Sequence, residues 1–483
     1  MEFVSPQPLP HESVMDYSLL GGEHVERGRR LFHTGLALLV AALAYLAFTA
    51  KVGDPLQLLL GLAIFALSVL PALLWARSGG SRFPVFEPIM ALCANSYALP
   101  LLNAQEQLAA YSPEVISRAA AAVVAFQVTG IVIYLKTTGL PGRASFWRDS
   151  IVSPKIEKLV IYGMLLSTIY VGISTFTPWI TPEFESILRA VFFGIGVLCT
   201  FVSAQRWGRG ELTGTEKFFV LATFVPQLVF MCVSLILIGA LGLIGIALLG
   251  YLSGGKRVPW VAIAVTFACV AVLHSGKSRM REKYWEQLQA SPTLTQLPAF
   301  FSEWIGYGLQ PGDADKSATR RLLERTSLMH ILCLVVSYSP DPQPYLYGKT
   351  YGYVLPQLIP RLFWPDKPRS HIATYELSIY YGLQREEDTE NTTIAFGLLT
   401  EAYANFGLLG GILLGAFWGF TLKKLQVWST FSPMFSFAGL LMILLTAWSF
   451  SSELTMAVWV SSLEQAVVVV IGIPMVIRSL FGS

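Results

Sequence analysis

Apolar residues in this chain fall into runs of about the length a bilayer demands. A helix needs about 20 mostly apolar residues to cross a hydrocarbon core about 30 Å thick. Such runs lie at 31–50, 55–76, 83–103, 117–135, 157–177, 184–204, 218–236, 238–252, 258–274, 394–421, 433–451 and 455–477. The apolar stretch from Phe218 to Leu252 spans 35 residues, too long for one crossing, and Gly239, Ala240 and Gly242 suggest a tight turn within it. The pattern predicts an all-α, polytopic membrane helix bundle of about 12 transmembrane helices.

One region breaks the pattern. Residues 275–393 hold 13 Lys/Arg and 13 Asp/Glu, a large share of the 65 charges in the chain. Their most apolar piece, Leu328 to Tyr338, is too short to cross and is expected to form an amphipathic or re-entrant helix. The organisation expected is a segment 1–30, a bundle of about nine spans over 31–274, the polar segment 275–393, and three further spans over 394–483.

Loop charge orients the bundle, because Lys and Arg in short loops stay cytoplasmic. With the N-terminus inside, the inner loops carry Arg27, Arg29 and Arg30, then Arg77 and Arg82, then Lys136, Arg143, Arg148, Lys155 and Lys158. Further along they carry Arg206, Arg209 and Lys217, Lys256 and Arg257, Lys423 and Lys424, and Arg478, whereas the short outer loops hold only Lys51. Both termini are therefore expected in the cytoplasm and 275–393 outside; long loops are exempt from the rule. Residues 1–30 are polar, so the first apolar run, from Leu31, is expected to remain as a span rather than serve as a cleaved signal.

Composition agrees with the pattern. Of 483 residues, 54% are hydrophobic and 13% charged, and mean hydropathy is +0.56. A soluble domain carries roughly 25% charged residues. The net charge of +3, with no basic tail, argues against a nucleic-acid partner. Cys93, Cys199, Cys232, Cys269 and Cys333 lie far apart in apolar stretches and read as small buried hydrophobes. His11, His24, His33, His274, His330 and His371 are scattered, so metal-bound water chemistry is not expected.

Three groups of residues could carry chemistry. The first, His274-Ser275-Gly276-Lys277-Ser278-Arg279-Met280-Arg281, follows a span directly, and Arg320, Arg321, Arg325, Arg361, Lys367 and Arg369 recur downstream. A guanidinium fork suits a diphosphate, which needs charge neutralisation and bidentate hydrogen bonding; the alternative is anchoring to lipid headgroups. The second runs from Tyr347-Gly348-Lys349-Thr350-Tyr351 to Pro360-Arg361-Leu362-Phe363-Trp364-Pro365-Asp366-Lys367-Pro368. Its prolines stiffen a loop that offers aromatic faces, cations and a carboxylate to a sugar, or else plugs into the headgroup layer. The third is Asn391-Thr392-Thr393 followed by Glu401-Ala402-Tyr403-Ala404-Asn405-Phe406-Gly407, in which Glu401 and Asn405 share a helix face. A carboxyl inside an apolar helix is a functional candidate by default; its structural alternative is a partner for an arginine. Glu87 and Glu453 raise the same question, while Glu386-Glu387-Asp388 with Glu390 reads as a solvated loop.

In the stretch from Tyr351 to Pro368, and in N-T-T and E-A-Y-A-N-F-G after it, the chain resembles Wzy-type oligosaccharide repeat-unit polymerases, the O-antigen and exopolysaccharide group. The resemblance covers about 60 residues closely and the remainder in layout alone. It implies a GT-C-like glycosyltransferase of the bacterial cytoplasmic membrane, active on its outer face without metal or cofactor. The glycan on undecaprenyl diphosphate would pass to the terminal sugar of another lipid-linked unit, with a chain-length regulator as a further partner. Arg279 and Arg361 would stabilise the leaving diphosphate, and Glu401 would activate the acceptor hydroxyl. Lys277, Arg281, Arg325, Tyr351, Trp364, Asp366, Lys367, Asn391 and Asn405 would bind substrate. Related O-antigen ligases place a histidine near the position of Asn391 or Thr392, where this chain has none. A ligase, a lipid-linked oligosaccharide flippase and a non-catalytic export scaffold are the competing readings.

Overall fold

A computed structural model describes residues 22–78, 83–150, 154–177, 182–235, 237–254, 259–287, 291–310, 327–359, 364, 366–390, 393–433, 436–449, 451, 453–472 and 475–476. Among these residues every regular element is helical. The chain divides into two compact units, 1–151 with 322–467 and 152–321 with 468–483. The polar segment expected over 275–393 is thereby shared between the two.

The first unit contains α1 (Gly22–Thr49), α2 (Pro55–Arg77), α3 (Glu87–Cys93), α4 (Leu99–Leu102), α5 (Pro113–Lys136) and α6 (Ser145–Arg148). The second contains α7 (Pro154–Phe176), α8 (Pro182–Arg209), α9 (Gly214–Val233), α10 (Leu237–Ser253), α11 (Trp260–Arg281) and α12 (Leu297–Leu309). The chain returns to the first with α13 (Met329–Tyr338), α14 (Val354–Gln357), α15 (Ile372–Tyr380), α16 (Leu398–Trp428), α17 (Phe437–Trp448) and α18 (Met456–Val467).

Among the described residues, each of the twelve apolar runs falls largely on helix. Seven of the helices described are long and apolar enough to cross a membrane: Gly28–Thr49, Pro55–Arg77, Pro113–Lys136, Val191–Arg209, Gly214–Val233, Trp260–Lys277 and Leu398–Trp428. The run 83–103 is carried instead by two short helices joined through a π-helical turn, Ala94–Ala98. The protein is thus an all-helical, membrane-embedded chain.

Helix starts follow local chemistry. Asp54 caps α2 by accepting from the Leu56 N–H at 2.7 Å, and Thr213 with Glu216 forms a reciprocal capping box on α9. The turn expected at Gly239–Gly242 is not there. Helix α9 ends at Val233, and Leu235 turns the chain with φ +55°. Gly239 lies within α10, where a Cβ would stand 2.9 Å from Met231 Cε; the glycine serves close packing rather than a turn.

The core of the first unit is the crossing of α5 and α16. Glycines recur every fourth residue, at Gly407, Gly411, Gly415 and Gly419. A Cβ on Gly415 would stand 2.3 Å from the Phe126 carbonyl oxygen, and one on Gly419 2.4 Å from that of Gly130. In lipid, where the hydrophobic effect does not drive helices together, such small-residue stripes let backbones approach closely. A second tie joins α5 to α2, where Gln127 Nε2 donates to Ser68 Oγ at 2.9 Å. Helix α13 packs into this core with Met329, Leu332, Cys333, Val335 and Val336 buried. It is a ten-residue helix, too short to cross, as the length of the apolar piece predicts.

In the second unit, Gln227 Nε2 donates to Ser167 Oγ at 3.0 Å between α9 and α7. Helix α11 continues past its apolar run to Arg281, so His274–Arg281 is helical, and α12 folds back against it. Gly276 and Gly308 permit that approach, with Cβ positions 2.6 Å from the Trp304 oxygen and 2.2 Å from the Val272 oxygen.

Candidate functional site

The site is built around an interruption of α16. Gly407 adopts φ +60° and ψ −144°, a conformation essentially restricted to glycine, so the helix is two helices in sequence. The interruption frees carbonyls that must find other donors. Leu346 N–H donates to the Ala404 oxygen and Tyr347 N–H to the Asn405 oxygen, both at 3.0 Å. The polar segment is therefore seated on α16 through main-chain hydrogen bonds.

Asn405 locks that seat. Its Oδ1 accepts from the Gly348 N–H at 2.9 Å, and its Nδ2 donates to Thr350 Oγ1 at 2.7 Å and to the Glu401 carbonyl at 2.8 Å. Tyr351 stacks on Phe406 with centroids 6.3 Å apart, and burial pushes its phenol well above the usual range. The Tyr345 hydroxyl lies over Gly407, 2.6 Å from where a Cβ would stand. Gly407→Ala should lower stability by about 1–3 kcal/mol through this contact and the positive φ. The check is the melting temperature of the detergent-solubilised chain; an unchanged value would mean the interruption relaxes freely.

Glu401 shares a face with Asn405, as the spacing predicts, and is fully buried. Its partner is not an arginine. Oε2 accepts from the N–H of Met456, the first residue of α18, at 2.6 Å, while Oε1 has no hydrogen-bond partner among the described residues. Nearby, Gly397 N–H donates to the Glu453 carbonyl at 2.9 Å, and the Thr374 and Thr455 hydroxyls are 3.0 Å apart. Glu401 thus braces the start of α18 against α16, enclosed from solvent, while the Thr374–Thr455 pair ties α15 to the same end.

An open cleft lies in the polar segment itself. Arg369, Ile372, Tyr375, Arg385, Glu386, Glu387 and Thr389 line a cavity of about 620 Å³. Helix α15 supplies Ile372 and Tyr375 to the lining, and the chain on either side of it supplies Arg369 and Arg385. His371 stacks on Tyr375 at 6.0 Å, and half-burial holds its imidazole below the usual range, which favours the neutral ring at pH 7. Lys349 pairs with Glu376 on the same helix, and this partner raises the Lys349 ammonium above its ordinary value. Two guanidiniums, an aromatic ring, carboxylates and a hydroxyl can bind an anionic group and sugar hydroxyls together.

Sequence reasoning singled out Arg369 only as one of several recurring cations. It read Glu386 and Glu387 as solvated and did not single out Tyr375, Arg385 or Thr389. A periodicity signal was available: Arg369, Ile372 and Tyr375 sit at helical spacing across the start of α15.

The other expected residues are dispersed. Trp364 and Asp366 lie on the surface of the first unit. Lys367 Nζ donates to the carbonyls of Ile359 at 2.7 Å and Gln357 at 3.2 Å, so it clasps its own loop. Lys277, Arg279 and Arg281 belong to the second unit. Arg279 Nη1 donates to Gln310 Oε1 at 3.0 Å and lies 5.9 Å from the centre of the Tyr307 ring. Arg281 Nη2 donates to the Leu235 carbonyl at 3.0 Å. Arg325, Arg361 and Asn391 lie outside the described residues. Among the described residues no group of three or more His, Cys, Asp and Glu could hold a metal ion.

Comparison with protein families, with curated proteins and with solved structures finds no match to this chain.

Proposed function

We propose that this chain is a glycosyltransferase of the bacterial cytoplasmic membrane that polymerises undecaprenyl-diphosphate-linked oligosaccharide repeat units on the outer face. The observation that carries the reading is the cleft lined by Arg369 and Arg385, with a ring and two carboxylates, in a segment seated on a membrane helix. The loop charges support twelve spans with both termini cytoplasmic and this cleft outward.

The chemistry needs an anion site and a proton acceptor. The acceptor hydroxyl oxygen bonds to the donor's anomeric carbon, the bond from that carbon to the diphosphate breaks, and the hydroxyl proton passes to a base. Arginines stabilise the departing diphosphate without a metal, which is transition-state charge stabilisation by preorganised donors. Arg369 and Arg385 fill that role in the cleft; Arg325 and Arg361 are further diphosphate candidates by sequence. Glu386 and Glu387 line the open cavity and are the carboxylates able to meet a hydroxyl; Glu401 supports the site from within. Tyr375 offers a ring face to a sugar. The partners are the lipid-linked donor and acceptor, the bilayer and a chain-length regulator.

One observation favours a second reading. Interrupted helices near ionisable residues characterise transporters, where they lie near the bilayer midplane. Here seventeen residues separate Gly407 from Lys424, about 26 Å of helix. That nearly spans the hydrocarbon core, so the interruption falls close to its outer edge. This position fits a seat for an outer segment better than a midplane gate.

Deleting the gene tests the reading directly. Lipid-linked glycan should collapse to single repeat units exposed outside; long chains stranded on the carrier would mean a ligase, and units trapped inside a flippase. Arg369→Ala together with Arg385→Ala should cut polymer at least tenfold while membrane insertion stays normal. Wild-type polymer in that double variant would remove the cleft from the mechanism.

A further inference from the structure

The polar segment of the first unit carries a second surface, apolar and open. Leu355 is 71% exposed, Leu358 49%, Ile359 41% and Trp364 40%. The backbone beneath them is held firmly. Gln357, buried between them, donates from Nε2 to the carbonyls of Tyr353 at 3.2 Å and Pro368 at 3.3 Å. Lys367 Nζ reaches the carbonyls of Gln357 and Ile359 from the other side. Residues 357–359 are tied to 367–368, and the large apolar side chains project from a fixed platform. Clustered exposed apolar groups of this size mark a surface that another apolar phase covers.

The helix packed beside it identifies that phase. Helix α14 and the turn before it, Thr350–Tyr353, pack on α18. On α18, Glu464 lies within electrostatic reach of Lys367. Glu464 is eight residues beyond Met456, about 12 Å along the helix axis. The clasp and α18 are therefore neighbours, with the platform carried on the side of an apolar helix. Exposed apolar side chains with Trp364, Lys367 and Arg369 in the same stretch of chain match the chemistry of interfacial anchors.

We propose that Leu355, Leu358, Ile359 and Trp364 form a platform immersed in the acyl-chain boundary of one leaflet, the outer one in the orientation that the loop charges support. The occupant is bilayer lipid. The platform stands on packing and exposure and is independent of glycosyl transfer. It holds the neighbouring cleft at the membrane surface, within reach of any headgroup-linked ligand.

The test uses the unmodified full chain in nanodiscs of phosphatidylethanolamine and phosphatidylglycerol, with a diazirine in the phosphatidylglycerol acyl chain. After irradiation, the peptide carrying residues 354–364 should be labelled at least tenfold more than the peptide carrying 383–389. Leu355→Asp with Leu358→Asp should reduce that labelling at least fivefold while labelling of α16 stays unchanged. Equal labelling of the two peptides would overturn the proposal. So would a platform shielded from lipid by a second copy, recognised as unlabelled wild-type dimers that Leu355→Asp turns into monomers.

Discussion

Gly415→Leu is expected to abolish folded protein. Its Cβ alone would stand 2.3 Å from the Phe126 carbonyl oxygen, and that atom belongs to the backbone of α5. A flexible side chain could move aside; a helix backbone cannot. The two helices would have to separate by an ångström or more along a stripe that also includes Gly411 and Gly419. Overpacking usually costs about 1–3 kcal/mol. Here the whole crossing is lost together, including the close contact of Gly419 with the Gly130 oxygen, so the cost lies at or above the top of that range. Fluorescence-detected size-exclusion of a tagged chain should show no monodisperse peak. Leu413→Ala, on the lipid-exposed side of the same helix, should leave the peak unchanged and separates a packing effect from a general one. A normal peak for Gly415→Leu would mean that the crossing has room for a side chain.

Glu401→Ala should be nearly as severe, for a different reason. The carboxylate accepts the first N–H of α18 at 2.6 Å inside the protein. Its removal leaves that N–H buried without a partner, which costs about 1–3 kcal/mol, and opens a cavity besides. The sum is about 3–5 kcal/mol, enough to unfold an ordinary domain. Glu401→Gln keeps an oxygen at the same place and should fold within about 1 kcal/mol of the wild type. The pair of variants separates bracing from chemistry. If Glu401 braces, the glutamine variant folds and still makes polymer. If the carboxylate itself takes a proton, that variant folds but makes none, and Glu386 and Glu387 lose their role as the base.

The seven long helices were legible because each is a run of 18 or more mostly apolar residues, the length a bilayer demands. Their joints were less so. The turn between α9 and α10 carries a leucine at positive φ, and no residue preference points to leucine there. The pairing of Glu401 with Asn405 follows from i, i+4 spacing. The partner of the carboxylate does not, because it is a main-chain N–H 55 residues away, and every residue but proline offers one. The cleft was hidden for a related reason. Arg369 and Arg385 are separated by a helix and a return, so no short sequence spacing joins them, and Glu386 and Glu387 line the cleft while staying exposed, as a solvated run should.

The seating of Leu346 and Tyr347 on α16 involves their N–H groups and not their side chains. Substitutions in that loop therefore leave its register on the membrane helix intact, provided Gly348, Asn405 and Gly407 remain. The side chains that line the cleft can then be exchanged with little risk to the seat. The interrupted helix separates what must be inherited from what is free to diversify.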